Sequence, residues 1–503
     1  MPCFSILLAG LLWSLNSFSQ TPNWVWAKKA GKKLADYGQG VATDASGNIY
    51  EVGHFTSPTI VFGSTTLTNS TTTGPYMDTY IVKYDPSGTV LWAKSAGGSD
   101  FDFAYSVATD ANGNIYVVGT FQSPSITFGS APALTNAGTL GTDIYIVKYD
   151  PNGNVLWAKS AGGTKGDYAN GVRVDASGNA YIAGYYISPT IVFGSSTLTN
   201  ATAYSEIFIA KYDASGNALW AKTATGAKSD FGNGIAVSSS NIFLVGRFQS
   251  PTLTFGSITL TNADASVNAT SDIFIAKYDA NGSLLWAKNA LGSASDFAPS
   301  VVADASGNAY LGGYFFSPTI AFGSIPSLIN SSASRYDICI AKYDASGTVL
   351  WAKKAGGSDD DVIYAMTIDA SGNIYVGGAF KGSSITIGST LTNSGAGTTS
   401  DIFLAQYSSS GNPVWAKSAG GSKDDGLYAL AVDPSGNIYA GGHYQSSPAN
   451  FGSFALTNDS TPPTTSSPGT FDIFLAKLNS TTGVNNPENN QAISIYPNPC
   501  SGK

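Results

Sequence analysis

Apolar and polar residues alternate in short runs along almost the whole chain, and each run ends in Asp, Asn and Gly. Between Ser106 and Gly163, VATD (107–110) meets NIYVVGTF (114–121) across the turn Asp110-Ala111-Asn112-Gly113. DIYIVKYD (143–150) then meets NVLWAKS (154–160) across Pro151-Asn152-Gly153. A period of two, in runs rich in β-branched and aromatic residues and bounded by turn formers, predicts hairpins. Two hairpins give four strands, A to D.

This unit recurs. The tripeptide WAK occurs seven times, with Trp26, Trp92, Trp157, Trp220, Trp286, Trp351 and Trp415 spaced 63 to 66 residues apart. A fixed period of that size marks supersecondary modules that bury their apolar faces against one another. Strand A recurs at Val41, Val107, Val172, Ile235, Val301, Met366 and Leu430, and the last strand C is DIFLAKLN, 472–479. The first D strand, WVWAK at 24–28, precedes any A strand, so the last A, B and C have no D after them. Pairing that first D strand with the last C strand removes the open edge. The predicted fold is therefore all-β, a seven-bladed β-propeller of four-stranded blades spanning 20–478 and closed by its N-terminal strand. A linear β solenoid gives no reason for the offset strand.

Composition narrows the class. Only 12% of the 503 residues are charged, the net charge is -8 and there are 57 glycines, which fits a turn-rich all-β protein and disfavours nucleic acid or anionic membranes as partners. Residues 1–19 read as a signal peptide cut after Ser17-Phe18-Ser19, with no membrane insertion. Cys339 stands where other repeats place Phe or Tyr and reads as a small buried hydrophobe. With Cys500 in the tail, no disulfide framework follows. The chain reads as a monomer.

Strand parity puts the Asp-x-x-Gly turns on one face and the D–A and B–C connections on the other. The turn DANGN at 110–114 resembles a calcium loop, but a hairpin turn with a left-handed glycine accounts for it. The other face varies, as in 70–77, 137–142, 263–271 and 459–471, and variable loops on a rigid scaffold are a usual way to present a binding site. Candidate binding residues on that face end strand B: His54, Tyr185, Arg247, Tyr314 and His443, with Thr120 and Ala379 in the remaining repeats. This position is expected well out from the axis, on a variable surface. The two histidines lack a third metal ligand.

Two acidic sets recur. Asp36, Asp102, Asp167, Asp230, Asp296, Asp361 and Asp425 precede strand A beside the expected channel, either as a calcium-binding ring or, the favoured reading, as caps on their own Gly-Gly loops. Asp78, Asp143, Glu206, Asp272, Asp337, Asp401 and Asp472 begin strand C, where register predicts pairing with the WAK lysine, Asp78 near Lys94 for instance. No nucleophile with a base, and no carboxylate pair confined to one repeat, stands out, so no enzyme and no obligatory cofactor is expected. A propeller hydrolase or lyase and a structural surface-layer spacer are the alternatives to adhesion or binding of an extracellular glycan or protein.

The pattern D-x-x-G-N-x-Y-x-x-G-x-F followed by D-I-F-x-A-K-Y-D-x-x-G-x-x-x-W-A-K resembles the bacterial seven-bladed β-propeller repeat family across nearly all of 24–478. Ser238-Ser239-Ser240-Asn241 and Gln406 depart from it. The resemblance implies a propeller and an extracellular bacterial protein, without catalytic residues. After a polar linker, 479–492, the segment 493–503 with Tyr496-Pro497-Asn498-Pro499 resembles the opening of the C-terminal sorting domain of type IX secretion in Bacteroidetes, and it stops at Lys503. That likeness implies secretion to the cell surface through the type IX machinery.

Overall fold

The computed structural model describes residues 21–71, 74–139, 141–239, 241–264, 270–332, 334–459 and 470–480. The predicted signal peptide, most of the linker, the sorting-domain segment and Cys500 lie outside the described residues. In the second repeat, Asp102–Thr109, Ile115–Phe121, Asp143–Tyr149 and Val155–Ala161 pair antiparallel in the order A-B-C-D. Every residue of strands B and C there is buried, because neighbouring repeats cover both faces of the sheet. Strand D is covered less and leaves Leu156 about half exposed at the outer rim.

Strand A recurs as Asp36–Thr43, Asp102–Thr109, Asp167–Val174, Asp230–Ser238, Asp296–Ala303, Asp361–Ile368 and Asp425–Val432. These strands stand side by side around a channel. Thr109 Oγ1 donates to the Thr43 carbonyl at 2.8 Å, and Thr43 Oγ1 donates to the Val432 carbonyl at 3.0 Å, so the first strand A touches both the second and the last. The N-terminal strand Trp24–Ala30 pairs antiparallel with Asp472–Leu478, Ala27 opposite Ala476, and completes the sheet of Asp425–Val432 and Ile438–Tyr444. The chain is an all-β propeller whose two ends share one sheet.

Outside the fourth repeat, each A–B turn is a hairpin turn. At 110–114 the Gly113 N–H donates to the Asp110 carbonyl at 3.0 Å with φ at 76°, while the Asp110 carboxylate accepts from Asn112, Asn114 and Tyr116. The B–C connection carries the expected small hairpin, Thr59–Phe62 with Thr65–Thr68, Ile60 opposite Leu67. In the sixth repeat it merges with its neighbours into Ile374–Ile387 and Ser389–Tyr407. Cys339 is fully buried.

Consecutive repeats are tied at the turn face. Trp92 Nε1 and Lys83 Nζ both donate to the Pro151 carbonyl, at 3.2 and 2.9 Å. Trp157 with Lys148, Trp220 with Lys211, Trp286 with Lys277 and Trp351 with Lys342 repeat the contact on the next C–D turn. In the sixth repeat Gln406 replaces the lysine, and Trp415 Nε1 is buried without a hydrogen-bond partner. The physical reason is closure: the next strands C and D, Asp472–Leu478 and Trp24–Ala30, come from opposite ends of the chain and share no turn.

One sequence expectation is corrected here. The WAK lysine does not face the acidic residue that begins strand C: Lys94 lies opposite Ile81, three residues from Asp78. Asp78 instead accepts from the Ser70 N–H and hydroxyl at 2.7 and 2.8 Å and packs beneath Gly97, where any Cβ would strike its carboxylate. Lys354, which pairs with Asp337 at 3.3 Å, is the residue after the WAK lysine Lys353.

Candidate functional site: the aromatic mouth of the channel

Every strand A is bulged soon after its leading Asp, as the register shifts at Gly38/Gly40 and Ala104/Ser106 show. A bulge turns one extra side chain out of the pleat. Here that residue points into the channel, giving Gln39, Tyr105, Asn170, Asn233, Pro299, Tyr364 and Tyr428 around a cavity of about 120 Å³. A second cavity of about 270 Å³ continues toward the turn face, and Arg173 reaches both. None of these bulge residues was singled out from the sequence, because the bulge breaks the strand period that would have assigned them a face.

At the opposite end, the residue after each leading Asp faces the end of strand B in register: Tyr37 with His54, Phe103 with Thr120, Tyr168 with Tyr185, Phe231 with Arg247, Phe297 with Tyr314. The side chains interleave from one repeat to the next. His54 lies between Tyr37 and Phe103, ring centroids 5.2 and 4.8 Å away. Tyr185 lies between Tyr168 and Phe231 at 4.8 and 4.9 Å, and the Arg247 guanidinium between Phe231 and Phe297 at 4.6 and 4.4 Å. Tyr314 packs on Phe297 and on Tyr336 from a loop, at 5.0 and 5.3 Å. Where the sixth repeat offers only Val362 and Ala379, Tyr364 and Tyr428 stack at 4.5 Å, and His443 stacks on Tyr428 at 4.2 Å. The five strand-B candidates thus fall in one belt around the channel mouth, with the bulge aromatics forming its inner edge.

This corrects two expectations. The strand-B position packs directly behind the cavity-lining bulge residues, His443 on Tyr428 at 4.2 Å, instead of lying far out, and both histidines are buried, 5% and 6% exposed, instead of on a variable surface. Burial pulls their pKa values down to about 3, and Tyr37, 4.9 Å from His443, stands between them. Among the described residues no three His, Cys, Asp or Glu side chains converge as a metal-holding group.

The leading aspartates do not line the channel. Each turns into its own repeat, where Asp102 accepts from the Gly98 N–H of its loop at 2.9 Å and from the Ser123 hydroxyl at 2.8 Å. Ser57, Ser188, Ser250, Ser317 and Ser446 do the same for Asp36, Asp167, Asp230, Asp296 and Asp425. These serines follow strand B, mostly as Ser-Pro, a recurrence visible in the sequence. Burial raises the carboxyl pKa to about 6 for Asp36 and Asp167 and to about 7 for Asp102, Asp230, Asp296 and Asp425, against the lowering effect of these bonds. In the sixth repeat Gly382 occupies the serine's place, and the pKa of Asp361 rises to about 8.

A further acid escaped the sequence reading. Glu51 sits in strand B where the other repeats have Val117, Ile182, Leu244, Leu311, Val376 and Ala440, a contrast that aligned repeats display. It is 1% exposed, accepts from the Tyr84 hydroxyl at 3.0 Å, and burial raises its pKa to about 8.

No family model matches the chain. It is 25% identical over 514 residues to an uncharacterised WD repeat-containing protein of Acanthamoeba polyphaga mimivirus, covering 85% of this chain and 36% of that one. It is 24% identical to the regulatory protein FlaEY of Caulobacter vibrioides, covering 67% of this chain and again 36% of that one. The chain thus spans about a third of the length of both relatives. Solved structures similar to it include the WD40 β-propeller domain of Doa1, 10% identical over 90% of this chain and 97% of that one with a TM-score of 0.41. Sqt1 from Chaetomium thermophilum is 10% identical over 84% of this chain and 97% of that one, TM-score 0.40.

Proposed function

We propose that the chain is a seven-bladed propeller that acts outside the cell as a non-enzymatic binding module, and that its ligand is a glycan seated on the aromatic channel mouth. The observation that carries this reading is the belt itself: Tyr37, Phe103, Tyr168, Phe231, Phe297, Tyr364 and Tyr428 are all partly exposed around one opening. The C–H faces of sugar rings pack on aromatic faces, and tyrosine adds a hydroxyl to bond sugar hydroxyls, so one side chain supplies both apolar contact and orientation. The blade count rests on the repeat, read seven times with the N-terminal strand as the last outer edge. Binding is favoured over hydrolysis because the leading aspartates are committed to serine and loop amides and Glu51 is enclosed. Secretion, with the type IX machinery as carrier, rests on residues 1–19 and 493–503 of the sequence.

A glycan array with the purified chain tests the reading. Retention of at least one oligosaccharide is expected, with affinity falling at least about tenfold in Tyr364→Ala, as for an aromatic anchor in a contact surface. Retention of no glycan, or binding unchanged in Tyr364→Ala, overturns it.

A further inference from the structure

The chain has only three arginines, and all lie on or beside the channel: Arg173 within it, Arg247 in the belt, and Arg335 next to the belt residue Tyr336. Arg335 is half exposed and paired with Asp359 at 3.0 Å and Asp360 at 3.9 Å. Arg247 differs. Its guanidinium carbon lies over both the Phe231 and Phe297 rings, at 4.6 and 4.4 Å, Nε is buried with no hydrogen-bond partner, and no carboxylate pairs with it among the described residues. A guanidinium held between two rings is fixed in orientation, while its N–H bonds point in its own plane, away from the rings. Tyr185 and Tyr314 adjoin it: burial pushes their hydroxyl pKa values up, and the Arg247 charge pulls against that shift. Arg173, the one charged residue lining the cavities below, spends one N–H on the Val172 carbonyl at 2.8 Å.

We propose that the mouth is specific for an acidic glycan, and that Arg247 receives the carboxylate of a uronate or sialate unit whose ring lies on the neighbouring aromatics. This rests on the reading of the mouth as a glycan site and names its ligand class. A partly desolvated guanidinium without a counter-charge, in a chain of net charge -8, is a preformed acceptor for one carboxylate, to which its planar fork is matched. A single such contact sets preference for one acidic unit; it does not make the face a polyanion surface, since the rim also carries Asp359, Asp360 and Asp424.

The test uses oligosaccharides ending in glucuronate, galacturonate or sialate, each beside its methyl ester, together with an oligoglutamate peptide. The full chain is expected to bind at least one acid at least about tenfold more tightly than its ester, the loss expected when a charge-assisted hydrogen bond is removed. Arg247→Gln, shown folded by its thermal transition, should bind acid and ester alike. Arg247→Lys should keep part of the preference, while Tyr364→Ala should weaken acid and ester together. Equal binding of acid and ester by the unaltered chain, discrimination that survives Arg247→Gln, or preference for oligoglutamate over every glycan overturns the acidic specificity while leaving a neutral-glycan or protein site standing. Failure of every sugar overturns both readings. If Arg247→Gln does not fold, the acid-to-ester ratio of the unaltered chain and of Arg247→Lys decides.

Discussion

Asp230 accepts three hydrogen bonds, from the Gln249 and Ser250 N–H groups at 3.0 and 3.1 Å and from the Ser250 hydroxyl at 2.7 Å. Asp230→Ala removes these bonds and strands the Ser250 N–H, because the Gln249 N–H and the Ser250 hydroxyl can still reach the Ser229 and Lys228 carbonyls at 3.2 Å, and it should cost about 1–3 kcal/mol in urea unfolding. Adding calcium to the unaltered chain should leave its melting temperature in place, since each leading carboxylate is engaged within its own repeat. The same burial sets a pH dependence. Carboxyls raised to about 7 in Asp102, Asp230, Asp296 and Asp425, and to about 8 in Asp361 and Glu51, hold protons that the unfolded chain has already lost. The folded state then binds more protons, so stability falls as pH rises through these values. His54 and His443, lowered to about 3, act oppositely, but only up to about pH 7, where the unfolded imidazole is also neutral. The melting temperature should therefore drop between about pH 7 and 9, and Glu51→Gln should make that drop shallower. A flat or rising profile over that window would contradict the assignment.

At the scale of the element, the tryptophan of each strand D separates a hydrogen bond from a ring. Trp220 Nε1 donates to the Ala280 carbonyl at 3.2 Å, whereas the equivalent Trp415 Nε1 is buried with no partner. Phenylalanine keeps an aromatic ring and removes the N–H. Trp220→Phe should cost about 1 kcal/mol more than Trp415→Phe in denaturant unfolding, because only the first loses a bond and the second sheds an unpaired buried donor. Equal costs would mean that the ring alone matters.

For the whole molecule, stability depends on joining the two ends. Trp24–Ala30 covers one edge of Asp472–Leu478 and packs Trp24 on Phe451 at 5.2 Å. Removing residues 20–30 exposes that edge and its apolar flank. The melting temperature should fall and the transition broaden, since the last repeat can then open without the others; an unchanged melting curve would show closure to be dispensable.

The strand period, the fourfold strand unit, the offset D strand and the face carrying variable loops were all legible in the sequence, because each depends on local alternation or on counting. So was the interest of His54, Tyr185, Arg247, Tyr314 and His443, which share one position in the repeat. What these residues touch was decided only in three dimensions. Neighbouring repeats interleave side chains that lie far apart in sequence, so Arg247 meets Phe297 and, across the closure, His443 meets Tyr37 through packing that no local pattern encodes. Bulges shift the pleat and send Tyr105, Tyr364 and Tyr428 into the channel, against the face their parity assigns. Asp78, which begins a strand C, lies beneath Gly97 instead of beside Lys94 because Lys94 pairs with Ile81, and that register is fixed by the turn between strands C and D.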